Sequence, residues 1–175
     1  HQIEGGSLRN AIPRESYADI IISAKSETAF VDFIKEIAKV LKLEHGTTDP
    51  NLELSCSTIE VPNTALPKEF QHKLVRALYA CPCGIYRMSP DIDRLVQTSN
   101  NLARVVVKEG EYSIQCLTRS SVDSEKMDLA NAIRSTFELA GASVLFAGSY
   151  PGWTPKPSSA LVTLMSQLYT EMFGE

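Results

Sequence analysis

Apolar residues recur along this chain with two different periods, and the changes between them mark its elements. Tyr17–Ser23 is a β-branched run that reads as a strand buried on both faces. Ser26 can cap a helix whose Phe30, Ile34, Ile37 and Leu41 follow helical spacing, with Gly46 as a left-handed C-cap. Leu52, Leu54 and Cys56 then alternate with polar residues, as on a one-faced strand. Pro67 can open a second helix carrying Phe70, Leu74 and Leu78, which Pro82 and Gly84 stop. Ile85–Met88 is a short extended piece. Leu102–Val107 and Tyr112–Arg119, joined by Glu109-Gly110, form the clearest hairpin. Ser121 or Asp123 can cap a third helix with Met127, Ala130, Ile133, Phe137 and Ala140, closed by Gly141. Val144–Tyr150 is a further strand, and Leu161, Leu164, Leu168 and Met172 line one side of a last helix.

From Tyr17 this order is strand, helix, strand, an insertion at about 60–98, hairpin, helix, strand. Without the insertion it is βαββαβ, so the expected class is α+β: a ferredoxin-like antiparallel sheet with its helices on one face. Residues 1–175 form one domain, with the helix at 157–173 as an appendage whose apolar face needs another surface. Such a topology hosts many unrelated functions and names none.

Composition narrows the field. With 43% hydrophobic and 22% charged residues the chain is an ordinary globular domain. Its formal charge of -4, without a run of either sign, argues against a nucleic-acid surface. The longest apolar runs, Ile20–Ile22 and Val105–Val107, are too short for a membrane span. Four cysteines suit a reducing, cytoplasmic setting better than a disulfide framework. The chain opens on His1 with no signal-like stretch, which suggests a piece of a longer protein not addressed to export.

The residues taken bare show no catalytic centre. Cys81-Pro-Cys83 lacks the second ligand pair that zinc sites use, and His1, His45 and His72 are scattered. Gly5-Gly6 lacks the continuation of a phosphate loop, and no His, Asp and Glu set has metal-ligand spacing. Asn10 and Arg119 stand out only mildly, since Asn favours turns and Arg at a strand end is usually solvated.

Five stretches carry a resemblance. Gly5-Gly6-Ser7-Leu8-Arg9-Asn10-Ala11-Ile12-Pro13-Arg14-Glu15, Gly84-Ile85-Tyr86-Arg87-Met88-Ser89, Val96-Gln97-Thr98-Ser99-Asn100-Asn101-Leu102, Arg119-Ser120-Ser121-Val122-Asp123-Ser124 and Ala147-Gly148-Ser149-Tyr150-Pro151-Gly152-Trp153 fall in order along nearly the whole chain. Together they resemble the lid, or dimerisation, domain of aminoacyl-histidine dipeptidases. The resemblance implies a two-domain peptidase with a two-zinc site on a catalytic domain whose ligand motifs are missing here. It also implies a homodimer formed through the lids. Related enzymes grip the dipeptide's C-terminal carboxylate with a lid Asn and a lid Arg. The matching residues are Asn10 and Arg119, and an Arg fork with an amide donor suits a carboxylate. On this reading the fragment holds no metal, has no activity alone, and works with its catalytic domain on a dipeptide substrate. The rival is a stand-alone ferredoxin-like module that binds a small molecule or drives oligomerisation.

Overall fold

The hairpin at Glu109-Gly110 is the spine of the sheet. Glu109 has φ 57° and Gly110 φ 84°, and a two-residue turn with both residues left-handed matches the twist of the strands it joins. It links β4 (Val96–Lys108) to β5 (Glu111–Ser120), which pair antiparallel from Lys108↔Glu111 to Thr98↔Ser120. A computed structural model describes residues 1–174 of the chain, and β4 is the longest strand among them.

The other edge of β4 is shared. Its beginning pairs antiparallel with β3 (Gly84–Met88), through Val96↔Met88 and Asn100↔Gly84. Its end pairs with β1 (Gln2–Gly5), through Val105↔Gly5 and Val107↔Ile3. Between the two the register against β5 shifts, so that Ala103 bulges between Leu102 and Arg104. β2 (Ser16–Asp19) pairs with β1 and forms an edge of this five-stranded antiparallel sheet.

Among the described residues four α-helices accompany the sheet: α1 (Glu27–His45), α2 (Lys68–Ala80), α3 (Asp123–Leu139) and α4 (Ala160–Phe173). The apolar stripe of α3, Leu129, Ile133 and Phe137, is buried together with Ala77 of α2 and Cys81 beyond its end. Leu102, Ile114 and Cys116 pack against this cluster from the sheet, so α2 and α3 lie on one face of it. Full burial of each large side chain contributes about 1.5–3 kcal/mol. Gly141, at φ 91°, ends α3 in the expected left-handed cap. Its N–H donates to Glu138 O at 2.9 Å, and Ala142 N–H donates to Phe137 O at 3.0 Å.

The α+β class and the antiparallel sheet are as expected, but the roster of strands differs. Leu52–Cys56 and Val144–Tyr150 form no strand. Alternation shows which side chains seek a neighbour; a ladder also needs a partner edge. Tyr17–Ser23 is not a doubly covered strand either. Only its start is in β2, and Ile20–Ile22 are exposed, because β2 has a neighbour on one side alone. The 60–98 stretch is part of the core rather than an appendix to it, since it supplies α2, β3 and the buried Leu74, Ala77 and Cys81.

Three caps also differ. A 3-10 turn at Ala24–Ser26 precedes α1, and the Ser26 hydroxyl pairs with that of Ser23 instead of capping. Gly46 stays right-handed at φ -57°, and His45 O accepts from Thr48 and Asp49 N–H. At α3 the N-cap is Val122, whose N–H donates to Ser120 Oγ at 3.0 Å.

Phe137→Ala is expected to destabilise the chain by about 3–5 kcal/mol, through lost burial and the cavity it leaves. Leu139→Ala, two residues on and 86% exposed, should cost less than about 0.5 kcal/mol. Urea unfolding of both variants checks this, and equal losses would contradict the buried face assigned to α3.

Candidate carboxylate-binding site

The loop from Gly6 to Glu15 is fixed to the sheet at three points. Gly6 N–H donates to Glu15 O at 3.1 Å, closing the loop at its base. Gly6, at φ 71°, lies so close to β4 that a Cβ there would fall 1.9 Å from Ala103 O, so no other residue fits. At the tip, Ala11 N–H donates to Leu8 O at 3.0 Å, which makes Arg9 and Asn10 the centre of a tight turn. The Asn101 side chain then donates to Ala11 O at 2.7 Å and to Arg9 O at 3.3 Å.

Asn101 settles which face the turn lies on. Successive strand residues point to opposite faces, so Ser99 and Asn101 share one face of β4. Arg119 stands directly opposite Ser99 on β5 and therefore shares that face too. Asn10 and Arg119, 109 positions apart in sequence, thus belong to one side of the sheet.

The end of β5 is held by a polar junction on the other side. Thr98, with no exposed surface, hydrogen-bonds Ser120 Oγ at 2.8 Å and donates to Glu125 Oε2 at 2.7 Å. Gln97 Nε2 donates to the same oxygen at 2.8 Å, and Arg87 of β3 pairs with Oε1. These Gln97 and Thr98 hydrogen bonds, with Arg87 after them, hold the Glu125 carboxyl below its ordinary range. Asp123 is lowered as well, first by Lys126 at 2.7 Å and then by the Gly152 N–H at 3.0 Å. Lys126 also donates to Tyr150 O at 2.6 Å. Gly152 is seated where a Cβ would come within 2.6 Å of Ser120 O, so the segment around it docks directly on the end of β5.

These supports border a cavity of about 900 Å³ that includes Arg9, Gln97, Ser99, Arg119, Lys126 and Trp153 in its lining. Arg9 reaches across it until Nη2 is 3.6 Å from the place of a Gly148 Cβ. Asn10 is beside this wall and not in it. Lys126 is committed to Asp123, whereas among the described residues neither Arg9 nor Arg119 forms an ion pair. Two guanidinium groups without anionic partners can receive a carboxylate through charge-assisted hydrogen bonds. Sequence reasoning passed over Arg9, although it adjoins Asn10 in the same turn.

Residues 1–49 match the family described as peptidase dimerisation domain. Over 171 residues the chain is 33% identical to the cytosol non-specific dipeptidase of Escherichia coli (strain K12), covering 98% of this chain and 35% of that protein. A crystal structure of aminoacylhistidine dipeptidase from Vibrio alginolyticus superimposes with a TM-score of 0.90 at 30% identity, over 100% of this chain and 36% of that one. The chain belongs to this dipeptidase family as its dimerisation domain. It spans about a third of the length of these relatives.

The stretches that carry the resemblance supply the contacts just described. The first is the Gly6–Glu15 loop, the third supplies Gln97, Thr98 and Asn101, the fourth supplies Arg119, Ser120 and Asp123, and the fifth supplies Gly148 and Gly152. No group of three or more His, Cys, Asp or Glu among the described residues could hold a metal.

The lowered Glu125 carboxyl gives an expected pH dependence. A depressed folded-state value stabilises fully above the ordinary 4.5 and is lost as pH falls through the lowered value. Stability measured by urea unfolding from about pH 6 to about pH 3 should therefore fall less steeply in Glu125→Gln than in the parent chain. Identical slopes would remove Glu125 from the junction.

Proposed function

We propose that this dimerisation domain acts as the substrate-orienting lid of a zinc-dependent dipeptidase, with Arg119 and Asn10 at the carboxylate end of the pocket. The observation that supports it is Arg119, without an ion pair among the described residues, on the same face of the sheet as the Asn10 turn and lining the same cavity as Arg9. A dipeptidase has to recognise a free C-terminal carboxylate and reject longer chains. An Arg fork does so because a substrate without the anion leaves the guanidinium unpaired. Xaa-His dipeptides are the substrates suggested by the aminoacylhistidine dipeptidase relative, and the metal and the hydrolytic residues belong to the rest of the polypeptide. The Escherichia coli relative is named a cytosol enzyme, and a cytoplasmic location is part of this reading.

Assembly is the other half of the proposal. Residues 1–49, matched to the dimerisation family, contain β2, the exposed Tyr17 and Ile20–Ile22 beside it, and α1. An open strand edge with apolar neighbours is a template for a second chain, and a two-fold axis through it gives a closed dimer.

In the full-length enzyme, Arg119→Lys keeps the charge and loses the fork, so kcat/KM on dipeptides should fall roughly 10–100-fold. Most of the change should appear in KM if ground state and transition state are held alike. Unchanged kinetics in both Arg119→Lys and Arg119→Ala would refute the carboxylate role. For assembly, light scattering should give twice the monomer mass, and Ile21→Glu should shift it toward the monomer. A parent chain that stays monomeric at high concentration would count against the edge contact.

A further inference from the structure

The cavity beside β5 has a wall of one sign in a chain of the opposite sign. The whole chain holds 17 Lys and Arg against 21 Asp and Glu. Arg9, Arg119 and Lys126 line the cavity, and among the described residues no Asp or Glu does. Lys126 is already compensated by Asp123 at 2.7 Å, and it also donates to Tyr150 O. Arg9 and Arg119 have neither an ion pair nor a side-chain hydrogen bond among the described residues. Two uncompensated guanidinium groups thus line one space, whereas the C-terminal carboxylate of a dipeptide brings a single negative charge.

Arg9 and Arg119 come to it from the same side of the sheet. Asn101 donates to Arg9 O at 3.3 Å, and Arg119 stands opposite Ser99, the residue two before Asn101 on the same strand face. Two residues along a strand span about 7 Å, so the two backbones are anchored at neighbouring points of that face. From its anchor the Arg9 side chain runs toward the far wall, where Nη2 is 3.6 Å from the place of a Gly148 Cβ. Gly148, left-handed at φ 68° and without a side chain, leaves the guanidinium room there.

We propose that Arg9 is a specificity residue that receives a second carboxylate, so that the enzyme favours dipeptides whose C-terminal residue is Glu or Asp. This rests on Arg119 as the receiver of the C-terminal carboxylate. Arg119 takes the main-chain carboxylate that every dipeptide has, and Arg9 takes the side-chain carboxylate that only an acidic one has. In each pairing the guanidinium donates to carboxylate oxygens through charge-assisted hydrogen bonds. A neutral C-terminal side chain leaves Arg9 without its anion, which lowers selectivity for that peptide and leaves the Arg119 contact in place. With no carboxylate in the wall, nothing there repels the dianion or competes for either guanidinium.

Steady-state kinetics of the full-length enzyme on Ala-Glu and Ala-Gln, which differ in that charge and hardly in size, test this. The parent should show kcat/KM roughly 10–100-fold higher on Ala-Glu, the scale of a hydrogen bond between charged groups. Arg9→Gln should abolish the preference by lowering Ala-Glu alone, with Ala-Gln unchanged within about twofold, and Arg9→Lys should keep part of it. Arg9 is exposed, so both variants should unfold at the parent's midpoint. Arg119→Lys should lower both peptides alike. A parent without the Ala-Glu preference, or a folded Arg9→Gln enzyme that loses equally on the two peptides, would overturn the proposal. A preference erased by Arg9→Gln beside an unaffected Arg119→Lys would instead refute the role of Arg119 and uphold the second subsite.

Discussion

The buried hydroxyl of Thr98 is the point from which most of this structure can be worked out. A hydroxyl with no exposed surface has to be satisfied inside the protein, and leaving it unpaired costs about 1–3 kcal/mol. Ser120 and Glu125 are what satisfy it, so the end of β5 and the first turn of α3 are both tied to the beginning of β4. Ser120 then accepts from Val122, which fixes the sharp entry into α3, and Asp123 reaches out to Gly152. Arg119 is the residue before Ser120 and has little freedom left in its backbone. Its place follows from a hydrogen bond made on the opposite face of the sheet, and the cavity is lined from both faces.

The second constraint is steric. β4 has three partners and only two edges, so β1 and β3 must share one, and the Ala103 bulge lies where one gives way to the other. Gly6 brings the chain against Ala103 O at that point, closer than any side chain would allow. From there the loop can only pass onto the face of β4 away from α2 and α3, where Asn101 takes hold of it. The placements of the Asn10 turn and of Arg119 therefore have separate causes: close backbone approach for the turn, and a buried polar junction for Arg119.

Legibility in the sequence divided along the same line. Features decided within a few residues were readable: the Glu109-Gly110 turn, the stripe of α3, the Gly141 cap and the start of α2 at Pro67. Features decided by a distant partner were not. Leu52–Cys56 and Val144–Tyr150 alternate as strands should and join no ladder, and the extent of β4 before Leu102 depends on β3. Asn10 and Arg119 were ordinary by composition and came from the resemblance alone. Glu125 and Asn101 gave no signal, because their partners lie 27 and 90 positions away in Thr98 and Ala11.

The same division explains how stability is distributed. The fully buried apolar residues belong to α2, β4 and α3 and to the turn after α2, whereas α1 and α4 bury none completely. α4 carries Leu161, Leu164, Met165, Leu168 and Met172 on exposed positions, and Ile20–Ile22 lie open beside β2. An isolated helix of 14 residues is marginal in water without a packed face. Apolar side chains exposed at helical spacing mark a face suited to packing against a neighbour. The domain therefore has two tiers: a centre around β4 and α3 that can hold itself together, and a periphery whose amphipathic faces are complete only against other surfaces. That arrangement places a cavity at the stable centre and apolar faces at the periphery, and it locates local opening in α1 and α4 before the β4–α3 junction gives way.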